Sequence, residues 1–222
     1  IGTGCYQLVI SLCLCAFLFF KSDSLSLHKN EKMSWEQDTL KQALRIGLPV
    51  GLDRLVTSSA YVAFTRIVSP LGTIAIAANS FGITAESLCY MPGYGVQSAA
   101  VTLIGQSIGA KRHDLTYRLG VLTTILGIGL MTCSGLFMYF GSPLMMSLLS
   151  PDPSIVILGV QILQIEAFAE PMYGASIVVA GVLQGAGDTL SSSLMNLISM
   201  WCVRIPLAVL LAGNYGLTGV WF

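Results

Sequence analysis

Apolar runs long enough to cross a bilayer recur along this chain, and four carboxylates lie inside them. Asp53, Glu86, Glu166 and Glu170 each sit within a long hydrophobic stretch. A charged side chain at bilayer depth costs about 2.5–3.5 kcal/mol even on lenient insertion scales. Such groups face a bundle interior or a water-filled cavity, where they pair, carry a proton or hold a cation. The pattern predicts a polytopic helical membrane protein that moves something across the bilayer. Composition agrees, since 54% of the 222 residues are hydrophobic and only 10% charged, against about 25% charged in soluble domains. Net charge is zero, which gives no footing for a nucleic-acid partner. Cys5, Cys13, Cys15, Cys89, Cys133 and Cys202 all fall in apolar runs, with no CxxC pair and no Cys/His cluster at metal spacing. They read as small hydrophobes in helices, not as disulfides or metal ligands. Both ends of the chain lie in apolar runs, and it reads as a fragment of a longer protein.

A span needs about 20 apolar residues. The first ends at Phe20, and a polar stretch over 21–45 follows. Within it Ser34-x-x-Gln37 resembles a capping box, which with Trp35, Leu40, Ala43 and Leu44 predicts a short interfacial helix. Further spans are expected over 46–69, 73–104, 119–140, 153–187 and 191–212, and a seventh begins near Gly216. The third is longer than one crossing requires, which predicts a tilt or a bend at Met91-Pro92-Gly93. Ser150-Pro151-Asp152-Pro153 places Asp152 as N-cap and Pro153 at the first helical position of the fifth. Lys21, Lys29, Lys32, Lys41, Arg45, Lys111, Arg112 and Arg118 fall in alternate connections, whereas 69–72 and 141–153 carry no Lys or Arg. Segments 21–45 and 105–118 are therefore expected to be cytoplasmic. Arg66 alone breaks that pattern and can snorkel.

Several motifs have a plainer reading than their sharpest one. Gly105-Gln-Ser107-Ile-Gly109 spells a nucleophile elbow with His113 nearby, but the elbow requires a strand before it and an apolar helix stands there. As Gly-xxx-Gly it predicts close helix contact, as do Gly47/Gly51 and Gly181/Gly185. Gly185-Ala-Gly187-Asp188 is the string of intramembrane aspartyl proteases, with Asp53 as the only candidate second acid; the plainer role for Asp188 is N-cap of the sixth span. Glu166 and Glu170 share one helix face, and two carboxylates so close cannot both ionise cheaply. Proton carriage or cation binding is the functional reading, and two wet structural acids the other. Pro171 directly after them frees a backbone carbonyl, a habit of bent helices that line cavities. Asp53 and Arg54 fit an ion pair at a pore mouth, and Arg204 could be a structural partner of Glu86. The methionines at 91, 131, 138, 145 and 146 read as filler.

Four strings in this order carry a resemblance: IGLPVGLDRLVTSS, ESLCYMPGYGVQSAAVTLIGQSIGAKR, GVLQGAGDT and MWCVRIPLAVLLAG. Together they look like the C-terminal lobe of MATE (multidrug and toxic compound extrusion) transporters over residues 43–222. The resemblance implies twelve helices in two pseudo-symmetric lobes around a central cavity, with antiport of amphipathic, often cationic compounds against Na⁺ or H⁺. Some branches of the family place a cation-binding Glu two turns after the Pro of the second span; Thr57 or Ser58 stands there here, with Asp53 a turn earlier. Those branches also carry an Asp shortly before the G-x-L-x-G of the fifth span; Tyr173 is near that place, with Glu170 a turn upstream. Other branches couple through an Asp in the N-terminal lobe.

The reading is an all-α membrane protein: one six-helix lobe of a two-lobe transporter over 46–222, the last helix of the preceding lobe at 1–20, and a cytoplasmic linker at 21–45. It is expected to be no enzyme, to need no cofactor beyond a coupling H⁺ or Na⁺, and to work in a bacterial or archaeal plasma membrane. Its expected partners are a small amphipathic cation, membrane lipid and the N-terminal lobe of the same chain. Glu86, Glu170, Glu166 and Asp53 are the expected cavity carboxylates, with Tyr173 and Thr57 as neighbours. The other readings are a lipid or lipid-linked-sugar flippase of similar architecture and an aspartyl protease using Asp53 and Asp188.

Overall fold

The structure, a computed structural model, describes residues 2–20 and 37–221. Every regular element among the described residues is helical. Helix α1 spans Gly2–Phe20 and belongs to a unit of its own, Ile1–Gln42. The second unit, Ala43–Phe222, holds most of α2 (Gln37–Val68), then α3 (Thr73–Cys89), α4 (Met91–Gly109), α5 (His113–Leu149), α6 (Pro153–Gly185), α7 (Thr189–Leu197) and α8 (Ile205–Trp221). A π-helical turn, Ile198–Arg204, joins α7 to α8. Three stretches are long and apolar enough to cross a membrane: His113–Leu149, Pro153–Gly185 and Thr189–Gly213. At 37 residues α5 runs about 55 Å, well beyond a hydrocarbon core of about 30 Å.

Several boundaries differ from the sequence expectation, each for a local reason. Ser34 and Trp35 lie outside the described residues, but from Gln37 onward no separate interfacial helix exists: α2 runs unbroken to Val68 with Pro49 inside it. The third span does break beside Met91-Pro92-Gly93, as expected, but into two helices that part at Tyr90, because Pro92 has no N–H for the carbonyl of Leu88. Helix α5 takes in His113–Arg118 and most of the 141–153 connection, despite Pro143. The Tyr139 carbonyl that Pro143 leaves open accepts the Ser142 hydroxyl at 3.1 Å, so the helix continues. The sixth span is not one regular helix. Pro206 cannot donate to Cys202, and the wide turn before it absorbs the ring. Gly216, at φ 61° and ψ −140°, then breaks α8, a conformation open to glycine alone at little cost.

Other expectations are met. The Asp152 carboxylate accepts from the Ser154 N–H at 2.9 Å, with Pro153 at the first helical position. Asp188 caps α7 by accepting from Ser191 N–H at 3.1 Å, immediately after Gly187 turns the chain at φ 85°.

Lipid offers apolar side chains the same solvent as the bundle interior, so helices associate by close packing. Helix α6 is the central post and packs on α3, α4, α5, α7 and α8. Its small residues set the approach. A Cβ added at Gly181 would lie 2.8 Å from the Gln97 carbonyl oxygen, and one at Gly185 would lie 2.6 Å from that of Val101. At the other expected Gly-xxx-Gly pairs the outcome is different: Gly47, Gly51 and Gly109 face open space, and Gly105 meets only the Gly185 carbonyl at 3.6 Å. Met131, Met138 and Met146 are fully buried between the helices, whereas Met91 is exposed.

Candidate functional site

Three carboxyls are buried together where α3 meets α6. Glu86, Glu166 and Glu170 are 7%, 9% and 2% exposed. Glu86 lies one turn before the break at Tyr90, on α3, which packs against α6. Glu166 and Glu170 are one turn apart on α6, and both lie within electrostatic reach of Glu86. Neither oxygen of Glu170 has a hydrogen-bond partner in the structure. Its stem packs against Gly135 of α5, where a Cβ would come within 3.1 Å of that of Glu170. Pro171 frees the Ala167 carbonyl, and that oxygen also points at Gly135, 2.8 Å from where a Cβ would stand. A single glycine thus admits both an unbonded carbonyl and an unbonded carboxyl.

Glu86 opens on a cavity of about 30 Å³, lined among others by Tyr61, Asn79, Tyr90, Tyr173 and Arg204. That is room for about one or two waters. The Tyr90 and Tyr173 rings lie 5.7 Å apart, tilted by 41°. Asn79 is held by the Trp221 indole N–H at 2.9 Å. Arg204 lies over the Phe64 ring, 5.1 Å from its centroid. It lines the cavity with Glu86, but the two are not within ion-pair distance; the only ion pair among the described residues joins Arg112 and Asp114.

The remaining expected residues gather elsewhere. Asp53 accepts from the Asn196 side-chain amide at 2.6 Å, and the same amide reaches Thr57 at 3.3 Å. Arg54 is exposed and makes no ion pair with Asp53, which corrects the mouth-pair expectation: adjacent residues on a helix point about 100° apart. Asp53 is therefore no dyad with Asp188, because residues 188 and 196 are separated by roughly 12 Å of helix rise. Ser107 is buried, bonded to the Ile104 carbonyl and to Thr116, with no histidine on it, so the elbow string is structural. Asn196, Asn79, Tyr61 and Tyr90 were missed in the sequence. An amide in an apolar run was a signal for the two asparagines; nothing local marked the tyrosines.

No group of His, Cys, Asp and Glu at metal-binding geometry exists among the described residues. The arrangement can hold charge and exchange protons. It defines a polytopic membrane protein with a buried carboxyl cluster.

A MatE family model matches residues 49–210, and the chain belongs to the MatE family. It is 27% identical over 212 residues to a "Probable multidrug resistance protein NorM" of Thermotoga maritima, covering 92% of this chain and 44% of that protein. It is 30% identical over 194 residues to the protein of the same name from Pseudomonas aeruginosa, covering 82% and 39%. The chain thus spans less than half the length of these relatives. In fold it is similar to the outward-facing conformation of a multidrug resistance MATE family transporter of the MOP superfamily. The TM-score is 0.88 at 19% identity, over 96% of this chain and 49% of that one.

Proposed function

We propose that the chain is the C-terminal lobe of a secondary antiporter that exports amphipathic, cationic compounds in exchange for H⁺ or Na⁺. The observation that carries this reading is the cluster of Glu86, Glu166 and Glu170, buried with no basic partner in ion-pair contact among the described residues. Two like charges roughly 6 Å apart at an effective dielectric constant of about 20 repel by about 3 kcal/mol. Neutralising one of them with a proton or cation therefore shifts a two-state equilibrium by about a hundredfold. Ion occupancy biases which side of the protein is open, and a cationic cargo competes for the same negative charge. The names of both relatives, multidrug resistance proteins, support drugs as cargo.

The test is transport by the complete protein in vesicles with Na⁺ and pH gradients varied separately. Glu170→Gln should reduce drug-driven ion exchange severalfold, since it removes the least satisfied of the three acids. Unaltered exchange would take Glu170 out of the mechanism, and no drug movement under either gradient would discard the antiporter reading.

We place residues 105–118 on the cytoplasmic side of a bacterial or archaeal plasma membrane, from the charge of the connections. His113→Cys, in a background with the other cysteines replaced, should react with an impermeant thiol reagent only from the cytoplasm. Labelling from outside alone would invert the topology.

A further inference from the structure

Arg204 is a permanent cation beside a cluster of acids, and it rests on an aromatic ring instead of on any of them. It closes the π turn Ile198–Arg204, two residues before Pro206. A π turn has one residue more than an α turn and is frequent at functional sites. We propose, resting on the antiporter reading above, that Arg204 is the tethered counter-cation of Glu86. It moves from the Phe64 ring onto that carboxylate when the site is empty and ionised, and returns when a proton or cargo takes its place, which makes the site proton-coupled and not sodium-coupled.

The cavity argues for the proton. It has room for about one or two waters, so a bound Na⁺ would sit close to the guanidinium and be repelled by it. A proton, by contrast, becomes part of the carboxyl and needs no ligand shell. It enters from the outer solution, neutralises Glu86, and leaves to the cytoplasm as Arg204 or cargo takes the charge. Glu86 is faced by Tyr61 from α2, Tyr90 at the helix break, and Glu166, Glu170 and Tyr173 from α6. Cys89 of α3 lies beside Glu86 and Glu170. Phenols and thiols are ordinarily neutral near pH 7, so the three carboxyls carry the titration.

The experiment is ion-driven drug efflux by the complete protein in vesicles, with the pH profile and Na⁺ response of each variant. Wild type should respond to a pH gradient and not to Na⁺. Arg204→Gln removes the internal competitor, so its profile should move to higher pH and Na⁺ should stimulate efflux severalfold. Arg204→Lys should keep the wild-type ion preference. Phe64→Leu removes the resting place, leaves Arg204 more often on Glu86, and should shift the profile acid by about half a unit to one unit. Stimulation of wild type by Na⁺, or an Arg204→Gln profile unchanged in pH and Na⁺ response, overturns the proposal. Should Arg204→Gln fail to reach the membrane, an unmoved Phe64→Leu profile does the same. Absence of efflux in wild type under both gradients would instead be a failure of the antiporter reading.

Discussion

Glu86→Gln in the complete protein should lower ion-driven efflux by at least about tenfold while leaving the protein as stable as before, or more so. The two readouts are expected to move in opposite senses because, in the antiporter reading proposed above, the acid serves transport and not the fold. Glu86 is 7% exposed, faces two further acids on α6, and has no ion-pair partner among the described residues. Replacing it by an amide of the same shape removes its like-charge repulsion with the two acids of α6. In the proposed mechanism the same repulsion is what a proton or cation relieves on binding, so the step that biases the conformational equilibrium should disappear with it. Efflux in vesicles and thermal unfolding in detergent, measured on the same preparation, decide the matter. A stability loss of several kcal/mol with proportionate loss of transport would make Glu86 a structural residue.

Gly185→Val should be among the most damaging substitutions in the lobe. The added Cβ would stand 2.6 Å from the Val101 carbonyl oxygen and 3.0 Å from the Val101 Cα. Both are backbone atoms of α4, which cannot swing aside as a side-chain end can. The helices must separate, and overpacking of this kind costs about 3 kcal/mol or more. Gly51→Ala is the matched control. Gly51 is a helix-interior glycine facing open space, so the methyl group should be neutral or stabilise by up to about 1 kcal/mol. A thermal midpoint for Gly185→Val equal to that of wild type would show that α4 and α6 do not approach as described.

These two glycines also mark the limit of what the sequence discloses. Both belong to a Gly-xxx-Gly pair, yet only Gly181/Gly185 meets a neighbouring backbone at both positions. Spacing says which residues share a face; only packing says what that face meets. Capping is local, and so Asp152 and Asp188 were legible from proline, glycine and the carboxylate alone. Helix lengths were less so. Pro143 ought to have ended α5, and a hydroxyl one residue earlier rescued the open carbonyl. The π turn had no signature beyond Pro206. For the candidate site, the acids stood out because charge is costly in an apolar run. That Glu86 meets α6, while Asp53 and Thr57 meet α7 through Asn196, depended on contacts between residues far apart in the chain.

The attachment of α2 differs between its two ends. Near Val68 it is embedded in an apolar cluster with Ala75, Ile162 and Leu217. Near Pro49 and Asp53 it is fastened to α7 by three hydrogen bonds, each worth only about 0.5–1.5 kcal/mol net. A rod anchored by its root and latched by its tip releases at the tip first, because water can take over a polar latch but cannot replace interlocked hydrocarbon. The two ends of α2 are thus held by different chemistry, hydrocarbon packing at one and polar bonds at the other.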